Sequence, residues 1–125
     1  MAELTITPTP KTPSITFDSA GGMLEIKGRS IPENSVEFYK PVMDKLDEYA
    51  ATPQSKTTVN IQLEYFNTSS SKCLLDIFKK LEQIHKKGNP VVINWLFEED
   101  DEDMQEAGED YQAIIQIPFQ ISQMG

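Results

Sequence analysis

The chain changes rhythm halfway along. Thr57-Thr58-Val59-Asn60-Ile61-Gln62-Leu63-Glu64-Tyr65-Phe66 alternates apolar and polar positions, the period of a half-buried strand. Directly afterwards the period lengthens: Cys73, Leu74, Ile77, Phe78, Leu81 and Ile84 form one apolar stripe of a helix. That helix should run to about Lys87, since Lys86 and Lys87 suit its negative end and Gly88-Asn89-Pro90 stops it. From Pro90 to Phe97 the chain is almost continuously apolar, the pattern of a strand covered on both faces.

Residues on either side extend this order. Ser14 to Asp18 and Met23 to Lys27 flank Ser19-Ala20-Gly21-Gly22 and predict a β-hairpin, with glycines supplying the turn. Ahead of it, residues 1–13 carry Pro8, Pro10 and Pro13 and read as an extended lead-in, with Leu4 and Ile6 leaving room for a short edge strand. A first helix is expected over 33–51 from Val36, Tyr39 or Lys40, Met43, Leu46 and Tyr49-Ala50, with Asn34-Ser35 as its cap. Pro41 either kinks it or opens a second segment. A third helix should begin between Asp101 and Asp103, with Met104, Ala107-Gly108, Tyr111 and Ile114-Ile115 on one face and Gly108 allowing close approach to the sheet. The tail from Ile115 to Ile121 alternates again, and Pro118 restricts it to an edge strand or an extended cover. Strand–helix–strand steps of this length favour right-handed parallel crossovers. The expected fold is therefore α/β, a single mixed β-sheet with three helices packed on it, in one domain spanning residues 1–125.

Composition narrows the function. A hydrophobic share of 38% with 25% charged residues belongs to a folded globular chain. No apolar run approaches the roughly 20 residues of a membrane span. Met1-Ala2-Glu3-Leu4 has neither a basic start nor an apolar block, so no secretion signal is expected. The single Cys73 lies on an apolar stripe, fitting a buried thiol in a reducing, cytoplasmic setting. The net charge of −9 argues against nucleic acid as a partner. Its distribution says more: residues 98–110 hold nine carboxylates and no basic residue, and outside them eleven acidic residues balance eleven basic ones. The body is near neutral and carries one acidic patch, which can steer basic surfaces toward it.

Most chemistry fails on spacing. In the acidic run Asp101, Asp103 and Gln105 alternate as in a calcium loop, but Glu106 stands where such a loop needs glycine, so a solvated acidic face is expected and no metal site. His85 is the only histidine, belongs at a surface or rim, and lies about four helical turns from the nearest serines, out of reach as a base. Gly21-Gly22 belongs to a hairpin and is not a phosphate loop. No cofactor is expected.

What remains is the turn between the central strand and the second helix. Thr68, Ser69, Ser70 and Ser71 follow Asn67 and precede Lys72. One Ser or Thr at a helix start is ordinary capping, and four in succession exceed what capping needs. The free amides and positive dipole of a helix start would stabilise a phosphate placed on this turn, with Asn67, Ser69, Ser70, Ser71 and Lys72 as supporting groups.

Tyr65-Phe66-Asn67-Thr68-Ser69-Ser70-Ser71-Lys72 with Leu74-Leu75 resembles the signature of the SiaC family of bacterial regulatory phosphoproteins. The likeness extends to Glu37-Phe38-Tyr39-Lys40-Pro41-Val42, to Asp101-Glu102-Asp103-Met104 and to Glu106-Ala107-Gly108, and covers about residues 15–119. It implies a non-catalytic cytoplasmic switch protein, phosphorylated on a threonine of this turn by a dedicated serine/threonine kinase and dephosphorylated by a metal-dependent serine/threonine phosphatase. The unphosphorylated form would bind and activate a GGDEF diguanylate cyclase of cyclic di-GMP signalling. By motif the acceptor is Thr68. A looser likeness links the element order to the STAS-type domain of anti-sigma factor antagonists in partner-switching cascades, whose Asp-Ser-Ser-Gly turn is replaced here by Asn67-Thr68-Ser69-Ser70; that alignment moves the acceptor to Ser69. A small phosphate-ester enzyme using the same helix start is the remaining alternative.

Overall fold

The computed structural model describes residues 4–123, so residues 1–3 of the expected lead-in lie outside the described residues. Its strands are β1 (Leu4–Ile6), β2 (Ser14–Asp18), β3 (Met23–Ser30), β4 (Thr57–Phe66), β5 (Val91–Phe97) and β6 (Phe119–Gln123). Three helices, α1 (Ser35–Ala51), α2 (Thr68–Lys86) and α3 (Glu102–Ile114), link β3 to β6. All six strands form one sheet in chain order, antiparallel from β1 to β3 and parallel from β3 to β6. This is the mixed sheet with three helices that the sequence predicts.

The turn of the β2–β3 hairpin is closed by Gly22 at φ +66°, and Gly28 at φ +122° sits where the β3–β4 register shifts by one residue. Such a shift bends the strand locally, and beyond it Ser30 is fully buried beside the start of α2. Pro41 lies inside α1 without dividing it. Lys86 and His85 occupy the last turn of α2, as the dipole favours, and Gly88 follows at φ +100°.

Three crossovers of one hand, each stepping to the next strand, put every helix on the same side of the sheet. Burial agrees with that placement. Val59, Ile61, Leu63, Val91, Ile93, Trp95, Leu24, Ile26, Ile15 and Phe17 face the helices and are buried in one core with Leu46, Leu74, Ile77, Phe78 and Tyr111. The intervening positions of the opposite face, Thr16, Glu25, Asn60, Gln62, Asn94 and Gln120, are exposed or half-buried. β5 is therefore not covered on both faces, contrary to its sequence pattern: Val92, Asn94 and Leu96 lie half-buried on the open side. Asn94 donates to Asn60 across the open face at 2.9 Å, which satisfies the polar pair in mid-sheet.

Trp95 anchors the far side of the core. It is fully buried, donates Nε1–H to the Met104 carbonyl at 2.9 Å, and packs against Phe66, Phe78, Tyr111 and Phe119. A Cβ on Gly108 would stand 2.5 Å from the Trp95 ring, so the glycine is what lets α3 sit down on the sheet. Ile114, placed with that face by its spacing, is instead 60% exposed at the end of the helix, and Ile115 and Ile117 continue the burial.

Candidate functional site

Because β3, β4 and β5 are parallel, their carboxyl ends lie together, and all three helices start from that end of the sheet. The turn of interest is the junction of β4 and α2. Its cap is Asn67 and not a hydroxyl residue: the side-chain oxygen accepts from the Ser70 N–H at 2.9 Å, while the Asn67 N–H donates to the Ser30 carbonyl at 3.0 Å. Asn67 Nδ2 donates to the Pro32 carbonyl at 3.4 Å, which ties the turn to the segment ahead of α1.

With the cap assigned to Asn67, the four hydroxyls divide into different tasks. Thr68 is the first residue of α2 and is exposed, and among the described residues its hydroxyl has no protein partner. Its N–H and that of Ser69 have no carbonyl one turn earlier to bond, as at any helix start. Ser69 is exposed too, but its hydroxyl is held by Ser35 Oγ at 2.7 Å and by Asn67 Oδ1 at 3.3 Å. Ser70 is fully buried. Ser71 donates to the Thr68 carbonyl at 2.8 Å, and its own carbonyl accepts from the Tyr111 hydroxyl at 2.8 Å. Lys72 is exposed, with no ion-pair partner among the described residues.

Beneath the turn Ser70 joins a chain of hydroxyls with Ser30, Ser35 and Tyr39, a connection that the sequence pattern did not show. Ser70 Oγ donates to the Ser30 carbonyl at 3.1 Å, accepts from Ser30 Oγ at 2.8 Å, and meets Ser35 Oγ at 3.2 Å. Ser30 Oγ also pairs with the Tyr39 hydroxyl at 2.5 Å. Burial pushes the Tyr39 hydroxyl up to about 12, against a smaller opposing effect of its bond to Ser30. Burial likewise raises Tyr111 above the ordinary tyrosine range. These groups fasten β3, α1 and α2 to one another directly under Thr68. Nothing in the sequence signals the connection: Ser30 and Ser35 look like ordinary small polar residues near element ends, and Tyr39 reads as part of the apolar face of α1.

Two different surfaces flank the turn. On one side an open crevice of about 550 Å³ is lined by Arg29, Ile31, Glu64, Tyr65, Glu98, Asp100 and Asp101. Tyr65 is 57% exposed there, and Asp101 caps α3 by accepting from the Met104 N–H at 3.0 Å. Glu102 and Asp103 in the first turn of α3 complement its dipole. Among the described residues no group of His, Cys, Asp or Glu is arranged to hold a metal ion. On the other side α1 and α2 run alongside each other, clasped by Ser35–Ser69 at their starts and by Lys80–Asp47 farther along. Between the clasps is a cavity of about 220 Å³ lined by Val36, Tyr39, Lys40, Met43, Cys73 and Asp76. Cys73 is buried, as its stripe implies, and burial raises its thiol, with Asp76 adding to the shift. Val36 is 74% exposed: the core-facing position is Ser35, one residue earlier than the apolar spacing suggests. His85 is half-buried at the far end of α2, where its Nδ1 accepts from the Val91 N–H at 3.0 Å. Among the described residues no helix is long and apolar enough to cross a membrane.

Comparison with known proteins gives a consistent set of relatives. The model of the SiaC family of regulatory phosphoproteins matches residues 6–124. An uncharacterized protein of Pseudomonas aeruginosa (strain UCBPP-PA14) is 36% identical over 121 residues, 97% of this chain and 96% of that protein. SiaC of Pseudomonas aeruginosa is similar in structure with a TM-score of 0.92 and 34% identity, over 99% of this chain and 100% of that one. A chain from the crystal structure of the diguanylate cyclase SiaD in complex with its activator SiaC, from Pseudomonas aeruginosa, gives 0.91 and 35% identity over 97% and 99% of the two chains.

Proposed function

The chain belongs to the SiaC family of regulatory phosphoproteins, and on that premise we propose that it is a phosphorylation-controlled activator of a diguanylate cyclase. Unmodified, it binds and stimulates a GGDEF-type cyclase; phosphorylated on Thr68, it does not. A serine/threonine kinase adds the phosphate and a metal-dependent serine/threonine phosphatase removes it. The complex of SiaD with its activator SiaC, one chain of which is similar to this protein along nearly its whole length, supports the choice of partner.

The observation that carries the reading is the position of Thr68. Of the four hydroxyls, it alone is both exposed and without a protein partner among the described residues, on the first residue of a long helix. Ser69, the other exposed candidate, already holds Ser35 and Asn67. A phosphate on Thr68 meets the free amides of the helix start, and Lys72 stands one turn on at the spacing where helical side chains meet. The fold has no need to change. What changes is the surface, which gains about −1.5 to −2 charges. Covering such a charge with a partner that offers it no counter-charge typically costs several kcal/mol, enough to reduce affinity by orders of magnitude.

The test combines intact-mass analysis with binding. Incubation with the kinase and ATP should add one phosphate to the native chain and none to Thr68→Ala. Thr68→Ala should bind and activate the cyclase like the native chain, and Thr68→Asp should do neither. Phosphate on another residue, or equal cyclase binding by the two variants, refutes the proposal.

A further inference from the structure

Given that reading, on which this step rests, we infer that Ser35, at the start of a different helix, confines phosphorylation to Thr68 by holding back the hydroxyl of Ser69. Most local features do not separate these two neighbours. Both are exposed, and both sit in the first turn of α2, where amides lack partners. Lys72 lies four residues from one and three from the other, each a spacing at which helical side chains meet. A phosphate would be stabilised on either side chain. What differs is the state of each hydroxyl before the reaction.

Transfer from ATP requires the hydroxyl oxygen to attack the γ-phosphorus while its proton passes to a base of the kinase. The new O–P bond forms as the bond from that phosphorus to the β,γ-bridging oxygen breaks, and ADP leaves. Thr68 has no protein partner to give up among the described residues. Ser69 Oγ donates to Asn67 Oδ1 at 3.3 Å and pairs with Ser35 Oγ at 2.7 Å. The first contact is long for a hydroxyl bond, and its acceptor is already engaged by the Ser70 N–H at 2.9 Å. The second has the usual hydroxyl length, so Ser35 is the stronger tether.

Ser35 is itself fixed. It is the first residue of α1, is 2% exposed, and its Oγ also meets Ser70 Oγ at 3.2 Å. To present its oxygen outward, Ser69 must turn away from α1 and leave Ser35 with only that longer contact in a buried network. The cost falls on attack by Ser69 and spares Thr68.

The experiment follows phosphate transfer from ATP by the kinase of the same organism, with fragment-ion mapping of the labelled residue and matched thermal melts. It compares the native chain with Thr68→Ala, Thr68→Ala/Ser35→Ala and Thr68→Ala/Ser70→Ala. Ser35→Ala is compatible with folding, because alanine is the better helix former, Ser70 keeps its bonds to Ser30, and the released Ser69 is exposed to water. Ser70→Ala disturbs the same network but leaves the Ser35–Ser69 pair in place. The native chain should be labelled on Thr68, and Thr68→Ala should stay unlabelled over the same interval, with or without Ser70→Ala. Thr68→Ala/Ser35→Ala should take one phosphate on Ser69, at least about fivefold faster than any background in Thr68→Ala, the factor that one lost hydroxyl bond supplies. Native labelling on Thr68 with no gain at Ser69 from Ser35→Ala overturns the role of Ser35 and leaves the switch standing. Equal Ser69 labelling in the Ser35 and Ser70 double variants traces the gain to a loosened network and overturns it as well. Label on Ser69 of the native chain overturns the assignment of Thr68, and this inference with it.

Discussion

Substituting Ser70 by Ala separates the two kinds of hydroxyl in the turn. Ser70 is fully buried and its Oγ engages the Ser30 carbonyl, Ser30 Oγ and Ser35 Oγ. Its removal leaves no group wholly stranded: the Ser30 carbonyl keeps the Asn67 N–H, Ser30 Oγ keeps Tyr39, and Ser35 Oγ keeps Ser69. The loss is thus that of intramolecular bonds worth about 0.5–1.5 kcal/mol each, not the larger cost of orphaned buried groups. The contacts to the Ser30 carbonyl at 3.1 Å and to Ser35 Oγ at 3.2 Å are long for hydroxyl bonds, so a total of about 2 kcal/mol is expected. Thr68→Ala, at an exposed hydroxyl without a partner among the described residues, should stay within about 0.5 kcal/mol of the native chain. Urea unfolding followed by the fluorescence of Trp95, the sole tryptophan, is a direct assay. With a slope of about 1.5 kcal/mol/M, the Ser70→Ala midpoint should fall by roughly 1.3 M, and the Thr68→Ala midpoint should hardly move. Equal midpoints for the two variants would refute the division of labour.

Gly108→Ala should destabilise despite its better helix propensity. The new methyl meets a Trp95 ring fixed by its bond to Met104 and by four aromatic neighbours, so overpacking of about 1–3 kcal/mol outweighs about 1 kcal/mol of propensity; a denaturation midpoint at or above native would contradict this. Alkaline titration should weaken the fold. Tyr39 ionises near the ordinary tyrosine value of 10.0 when unfolded and at about 12 when folded. The folded state then keeps a proton that the unfolded state releases, so stability is intact below about pH 10 and falls as pH rises toward 12. Tyr111 is shifted in the same direction. Tyr39→Phe should flatten part of that decline in melts recorded across the window, and an unchanged slope would remove Tyr39 as its source.

Periodicity made the elements of this fold readable, because each strand and helix buries one face and its residues record which. It also located the turn, since the run of hydroxyls falls where an alternation of two gives way to a repeat of about 3.6. What periodicity does not carry is the arrangement of elements. The apolar residues Val92 and Leu96 made β5 look enclosed, but consecutive crossovers of one hand left its second face without helices. Val36 looked like part of the first apolar face, yet α1 is rotated so that Ser35 faces inward, where it is satisfied by serines about 35 residues later in the chain. Ser30, Ser35 and Tyr39 could not be assigned to the site from sequence, since their partnership exists only once β3, α1 and α2 converge.

The sheet's bare side has a practical corollary. Thr16, Gln62 and Gln120 project from the flank opposite the helical layer and therefore away from both helix starts. A dye, biotin or resin tether grafted at any of the three leaves the regulatory flank unobstructed. Immobilised in that orientation, the molecule presents the β4–α2 turn outward to any partner in solution.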